Sequence, residues 1–138
     1  KTGPSLVVGF TNGCFDIIHA GHVTYLAKAK AQVSLLIVAL NSDSSVRKNK
    51  GASRPIVGEA DRALVLCSLE SVDSVILFDE TTPLNLIKSI KPDILFKGND
   101  YTLKNVVGAK EMNKWGGKVI LIPVVQGKSS SKIIQKLS

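Results

Sequence analysis

The two histidines of this 138-residue chain, His19 and His22, stand three positions apart in the segment Thr11-Asn12-Gly13-Cys14-Phe15-Asp16-Ile17-Ile18-His19-Ala20-Gly21-His22. On a helix that spacing puts both side chains on one face. A helix start also presents backbone N–H groups and a partial positive charge, which together receive anions. Imidazoles on such a face can donate hydrogen bonds to phosphate oxygens. Gly21 between them carries no side chain, so a bulky anion can approach the backbone closely. The chemistry these types and spacings suggest is phosphate recognition. The bland alternative is a pair of histidines that only satisfy a cap or the core. A metal site is the weaker option, because His19, His22 and Asp16 find no further ligand at suitable spacing. The glycine spacing is neither that of the dinucleotide fingerprint GxGxxG nor that of the P-loop.

Such a turn needs a strand before it and a helix after it. The apolar run Leu6–Thr11 predicts a buried strand, broken by Asn12-Gly13. Gly21–Ala31 predicts a helix with Val23, Leu26 and Ala27 inward and Lys28 and Lys30 outward. Val33–Leu40 is a second strand, so continuously apolar that it fits a parallel strand covered on both faces. Asn41–Val57 is polar, carries Gly, Pro and the cluster Arg47-Lys48-Asn49-Lys50, and reads as a loop. Glu59–Leu69 predicts a helix with Ala63, Leu64, Leu66 and Cys67 inward, and Ser74–Phe78 a third strand. Thr82-Pro83 opens a helix carrying Leu84, Ile87 and Ile90 that ends at Pro92. Ile94–Phe96 is a fourth strand, Gly108–Trp115 a short helix closing at Gly116-Gly117, Lys118–Val125 a fifth strand, and Ser129–Leu137 a last helix.

This alternation implies an α/β fold, a Rossmann-like doubly wound sheet of about five parallel strands with helices on both faces, in one domain over residues 1–138. Ligands of such sheets bind beyond the carboxyl ends of the strands, where the strand order switches. The informative segments are therefore Asn12–His22, Asn41–Arg54, Lys97–Tyr101 and Gln126–Lys132.

Composition limits the function classes. With 44% hydrophobic and 21% charged residues the chain is neither a disordered tail nor a fibre, and 5% aromatics leave the core to Val, Ile and Leu. The longest apolar run, Leu35–Leu40, is far short of the ~20 residues of a membrane-spanning helix. No signal segment opens the chain, so a cytoplasmic protein with Cys14 and Cys67 as free thiols is expected. The net charge of +7 suits nucleic acid, anionic lipid or phosphorylated small molecules, and charge alone does not choose among them. No stripe of basic and aromatic residues and no nucleic-acid motif is visible, so neither a nucleic-acid nor a membrane partner is expected.

His19-Ala20-Gly21-His22 after Gly-Cys-Phe-Asp resembles the HxGH signature of the cytidylyltransferase-like nucleotidyltransferases. Asn41-Ser42-Asp43, Lys50-Gly51, Arg54-Pro55, Lys97-Gly98-Asn99-Asp100-Tyr101, Val106-Val107-Gly108, Gly116-Gly117 and Gly127 with its hydroxyl run extend the likeness over nearly the whole chain. Taken together they most resemble the adenylyltransferase domain of bacterial heptose 1-phosphate adenylyltransferases. That domain is often fused to a sugar kinase; nothing here resembles a kinase, so the stand-alone form is expected. The resemblance implies transfer of AMP from ATP, with Mg²⁺, to a heptose 1-phosphate, giving ADP-heptose for lipopolysaccharide core and releasing pyrophosphate. Relatives commonly dimerise, which makes a homodimer the expected assembly. Two other readings stand beside it: a cytidylyl- or adenylyltransferase for another acceptor such as glycerol 3-phosphate, and a non-catalytic protein that binds nucleotide or nucleic acid.

The resemblance also assigns roles. His19 and His22 would contact the triphosphate and stabilise the α-phosphorus during attack, and Lys50 would close over the leaving pyrophosphate, aided by Lys48. Asn12, Gly13 and Phe15 would line the nucleotide through the turn, Gly21 would admit it, and Gly98 and Asp100 would lie beside the nucleoside. Gly127, Ser129, Ser130 and Ser131 would hold the outer phosphates; this chain has three serines where the family usually carries threonines among them. Arg62 is a weaker nucleotide contact, with an alternative as a helix residue paired to solvent or a carboxylate. Asp16 would hold the acceptor's hydroxyls or help place Mg²⁺, its plain alternative being a helix cap. Asn41, Asp43, Arg54 and Lys97 complete the expected acceptor site. In-line transfer between two polyanions needs no covalent enzyme nucleophile, so Cys14 is not expected to be one.

Overall fold

A computed structural model describes residues 6–99 and 105–123. Five strands among these residues form one parallel sheet in the order β3-β2-β1-β4-β5. They are β1 (Val8–Gly13), β2 (Leu35–Asn41), β3 (Ser74–Phe78), β4 (Ile94–Gly98) and β5 (Lys118–Ile122). The helices are α1 (Ala20–Lys30), α2 (Asp43–Lys50), α3 (Glu59–Cys67), α4 (Leu84–Ile90) and α5 (Ala109–Met112), the last continued by a 3₁₀ turn over Asn113–Trp115. The doubly wound α/β fold is thus observed. The predicted strand tail at Val124 and Val125 and the last predicted helix lie outside the described residues.

The period-2 alternation of β2 splits its side chains between the two faces of the sheet. Leu36, Val38 and Leu40 join Leu26 and Ala29 of α1 and Leu66 of α3 in one buried cluster. Ala39 joins Ile87 of α4 and Met112 of α5 in the other, with Phe10, Phe78 and Leu95. This two-sided burial explains why β2 reads as an unbroken apolar run.

Three local expectations change. The segment read as a loop over Asn41–Val57 contains α2, capped by Ser42, whose hydroxyl accepts from the Ser45 N–H. Asp43 stands at the positive end of this helix, and Arg47, Lys48 and Lys50 at the negative end. The helix has no apolar stripe, because Val46 is its single buried hydrophobic residue, so the hydrophobic period that reveals most helices is missing. In α1 the inward residues are Leu26 and Ala29, whereas Val23 and Ala27 are exposed. In α3 the inward pair is Arg62 and Leu66, four residues apart; Leu64 and Cys67 face outward. Buried Arg62 fills a core position of α3 that an apolar residue usually takes, so the inward face of the helix is rotated from the one its apolar residues mark.

Strand pairing also opens the cleft that a ligand needs. β1 follows β2 to the pair Gly13↔Leu40, and β4 follows β5 to Gly98↔Ile122. Between β1 and β4, however, the paired residues are Gly9↔Ile94 and Phe10↔Leu95. Beyond them the Thr11 hydroxyl, buried and in contact with the Tyr25 hydroxyl at 2.8 Å, donates to the Phe96 carbonyl at 3.2 Å. The carboxyl ends of the two central strands therefore diverge at the switch in strand order.

Candidate functional site

The chain leaves β1 through Asn12 and Gly13 into this crevice. A side chain at Gly13 would put its Cβ 2.9 Å from the Phe15 ring, so the turn needs glycine there. Phe15 itself holds φ at 47°, an uncommon backbone state for a residue with a side chain. Burial of its ring in the core holds it there, and the ring packs against His22 with centroids 5.2 Å apart. That contact gave no signal in the sequence, because nothing in a residue order shows a ring folding back over a turn.

The two histidines cap α1 reciprocally. His19 Nδ1 accepts from the Gly21 N–H at 3.0 Å, and His22 Nδ1 accepts from the His19 N–H at 3.3 Å. The pair does the work of a capping box with imidazoles in place of hydroxyl and carboxylate. A nitrogen that accepts cannot carry the proton, so in the neutral rings the hydrogen sits on Nε2. Both rings are half-buried and lie 4.0 Å apart, tilted by 31°. Burial, with a smaller contribution from His19, pulls the His22 pKa down to about 4. At neutral pH His22 is therefore an uncharged Nε2–H donor.

That shift sets a pH dependence. Below the ordinary value of 6.5 the unfolded chain binds a proton at His22 that the folded chain refuses, so stability falls as pH drops from 6.5 toward 4. Urea midpoints measured at pH 7.5, 6 and 5 should decline in that order, and the decline should flatten in His22→Asn. A wild-type midpoint constant over this range would contradict the burial of the ring.

Asp16 is wholly buried, and both of its oxygens are engaged. Oδ1 accepts from the N–H groups of Ile56 and Val57 at 2.9 and 2.8 Å, and Oδ2 from Arg54 Nε at 2.8 Å and from Ile56 N at 3.0 Å. Burial pushes the carboxyl upward, but the Val57 and Ile56 N–H groups and the Arg54 guanidinium together hold it below its usual range. The carboxylate thus fastens the 54–57 segment to the histidine turn. Arg54 Nη2 is buried and has no hydrogen-bond partner among the described residues; the same holds for Asn12 Oδ1. One donor and one acceptor of the expected site therefore retain capacity for a ligand.

Arg62, expected as a nucleotide contact, has another task. Its side chain is fully buried. Nε donates to the Val57 carbonyl, Nη1 to the carbonyls of Cys14 and Asn41, and Nη2 to the Asp43 carboxylate, all at 2.7–2.8 Å. Asn41 and Asp43, expected at the acceptor, are bound into the same assembly, with Asn41 Nδ2 donating to the Ser45 hydroxyl and the Asp43 N–H to Glu59 Oε1. Of the expected alternatives for Arg62, the pairing with a carboxylate is the one observed.

Lys48 and Lys50 are exposed at the end of α2. Burial raises the Cys14 pKa, and the charges of Lys50, Arg62 and Arg54 oppose the rise, which puts Lys50 within electrostatic reach of the histidine turn. The thiol remains protonated and Cys67 is exposed; both cysteines are free. Lys97 and Gly98 end β4, half-buried, across the crevice from β1. Asp100, Gly127, Ser129, Ser130 and Ser131 lie outside the described residues. Among the described residues no three His, Cys, Asp or Glu side chains converge as a metal site, and none of the helices there is long and apolar enough to cross a membrane.

A family model described as cytidylyltransferase-like matches residues 10–136. Bifunctional protein HldE of Methylobacillus flagellatus is 59% identical over 129 residues, 94% of this chain, and that of Geotalea uraniireducens is 54% identical over 93% of it. The chain spans about a quarter of the length of these relatives, 26% in both cases. Among solved structures, a lipopolysaccharide core biosynthesis protein from Thermoplasma volcanium is 29% identical, with a TM-score of 0.70 over 90% of this chain and 100% of that one. A pantoate-beta-alanine ligase from Francisella tularensis, solved with beta-gamma ATP and beta-alanine, shares the fold at 21% identity, with a TM-score of 0.64 over 91% of this chain and 61% of that one.

Proposed function

The chain belongs to the cytidylyltransferase-like family, and from that premise we propose that it is an adenylyltransferase that moves AMP from ATP to a heptose 1-phosphate, releasing pyrophosphate. The observation that carries the reading is the reciprocal imidazole cap. Two imidazole rings, each oriented by a backbone N–H donor to its Nδ1 and 4.0 Å apart, stand together at the positive end of α1, which follows β1 at the crevice with β4. The likeness to HldE chains and to a lipopolysaccharide core biosynthesis protein supports a sugar phosphate as the acceptor.

In this reading an oxygen of the sugar phosphate attacks the α-phosphorus of ATP. The new P–O bond forms as the bond to the bridging oxygen of the β-phosphate breaks, and pyrophosphate leaves with that electron pair. His19 and His22 donate to the α-phosphoryl oxygens, where negative charge accumulates. Lys50, with Lys48, neutralises the departing pyrophosphate from the end of α2. Arg54 Nη2 and Asn12 Oδ1, with Lys97, supply polar contacts to the acceptor and to the nucleotide around it, and Gly13, Phe15, Gly21 and Gly98 shape the cleft. Asp100, Gly127, Ser129, Ser130 and Ser131 complete the nucleotide site by resemblance. Mg²⁺ travels with ATP: the Asp16 oxygens are taken up by N–H donors, so the ion belongs to the triphosphate as part of the substrate.

The rest of the proposal is that residues 1–138 act as one domain, in the cytoplasm where ATP is made, and that two copies pair through apolar surface such as Leu64, Val65 and Leu77, exposed on α3 and the edge strand β3. The test offers the purified protein ATP, CTP, GTP and UTP, each with heptose 1-phosphate or glycerol 3-phosphate, and measures pyrophosphate. Release with ATP and heptose 1-phosphate above all other pairs is the expected result. Release with glycerol 3-phosphate and CTP instead would replace the substrate assignment. No release from any pair, together with tight RNA or DNA binding at physiological salt, would overturn the enzyme reading.

A further inference from the structure

We infer that Arg62 is a positioning residue for this reaction: its buried guanidinium joins the exit of β1, which carries the histidines, to the start of α2, which carries the lysines. The inference rests on the function proposed above. The sheet aligns β1 and β2 as far as Gly13↔Leu40. The next residues, Cys14 and Asn41, are no longer paired with each other, though Asn41 still pairs with Phe78 of β3, and Arg62 Nη1 donates to both of their carbonyls, at 2.8 and 2.7 Å. One nitrogen thus clasps the two strand exits just past their last pair. Nη2 holds the Asp43 carboxylate on the first residue of α2, and Nε holds Val57 at the end of the segment that carries Arg54.

A helix is a stiff lever. From Asp43 to Lys50 α2 extends about 10 Å at 1.5 Å per residue, so a small tilt at its start moves Lys50 by ångströms. Glu59 accepts the Asp43 N–H at 2.9 Å, so α3 fixes the start of α2 at a second point. The Arg62 side chain has no exposed surface and acts only through the groups it holds. Lysine cannot reproduce this set, since it offers three hydrogens on one atom where the planar guanidinium spreads its donors over three nitrogens.

The experiment is a double-mutant cycle on pyrophosphate release, using wild type, Lys50→Ala, Arg62→Lys and the double variant, at a temperature where circular dichroism finds each protein folded. Lys50→Ala is expected to lower kcat by ~100-fold in the wild-type background, as loss of one charge-stabilising donor commonly does. Arg62→Lys should lower kcat by ~10–100-fold and leave the KM for ATP within about threefold. In the Arg62→Lys background the further loss from Lys50→Ala should shrink to less than about fivefold, because a misplaced lysine has little left to contribute. The same factor for Lys50→Ala in both backgrounds would overturn the inference and leave the proposed function standing. If Arg62→Lys does not fold, Asp43→Asn replaces it in the cycle, with the same two outcomes. A wild-type protein silent with every nucleotide and acceptor would instead overturn the proposed function, and this inference with it.

Discussion

His19→Asn should fold like the wild type and lose nearly all of the adenylyl transfer proposed above. Asparagine is among the best N-cap residues, and its Oδ1 lies about where the histidine Nδ1 lies, so the bond from the Gly21 N–H survives. The change in stability should stay within ~0.5 kcal/mol, the scale that separates good caps from one another. What disappears is the Nε2–H. If that hydrogen faces the charge developing on the α-phosphoryl group, its loss should lower kcat by ~10²–10³-fold, as removal of one oxyanion donor does. His22→Asn is the matching variant, since it keeps an acceptor for the His19 N–H and removes the other Nε2–H. Alanine at either position would mix capping with catalysis and lose this separation. Pyrophosphate release and urea denaturation on the same preparations decide the matter. A kcat within tenfold of wild type in both asparagine variants would reduce the histidines to helix caps.

Asp16→Ala should do the reverse and act first on stability. The carboxylate is fully buried and accepts from two backbone N–H groups and one guanidinium. Truncation strands the Ile56 and Val57 donors and leaves the Arg54 charge, itself mostly buried, without its counter-ion. Removing one partner of a buried, hydrogen-bonded ion pair costs ~3–5 kcal/mol. A residue that only touched the sugar acceptor or a Mg²⁺ ion would behave otherwise, giving a raised acceptor KM or lost turnover with an unchanged urea midpoint. Thermal and urea unfolding of Asp16→Ala therefore separate the expected acceptor or Mg²⁺ contact from the clamp on residues 54–57; the helix cap that the sequence offered as the alternative is His19 instead. A midpoint equal to wild type would contradict the buried cluster seen here.

These positions also show where reading the sequence stops. The doubly wound sheet was legible because burial on both faces leaves an unbroken apolar run at Leu35–Leu40, and alternation with helices permits few other topologies. Strand β3 was legible at its observed bounds from its short apolar run, although it lies at the sheet edge and only Phe78 in it is buried. The crevice could be assigned to the segments after the strands, and the His19–His22 spacing located the turn, because both rest on the local geometry of a strand meeting a helix. Helix α2 was not legible, because a helix held by caps and dipole-matched charges carries no hydrophobic period.

Partner choice was the larger gap. Asp16 and Arg54 are 38 residues apart, and Arg62 and Cys14 are 48. Nothing in the types of Asp16, Asn41, Asp43 and Arg62 distinguishes a side chain that meets a ligand from one consumed inside the protein. The chain alone determined the fold class, the place of the histidine turn after the first strand and the basic residues that follow the second strand. The tertiary structure decided which charges remain open to a substrate, because that depends on which donors and acceptors folding has already brought within 3 Å of one another, and proximity of that kind leaves no mark on residue order.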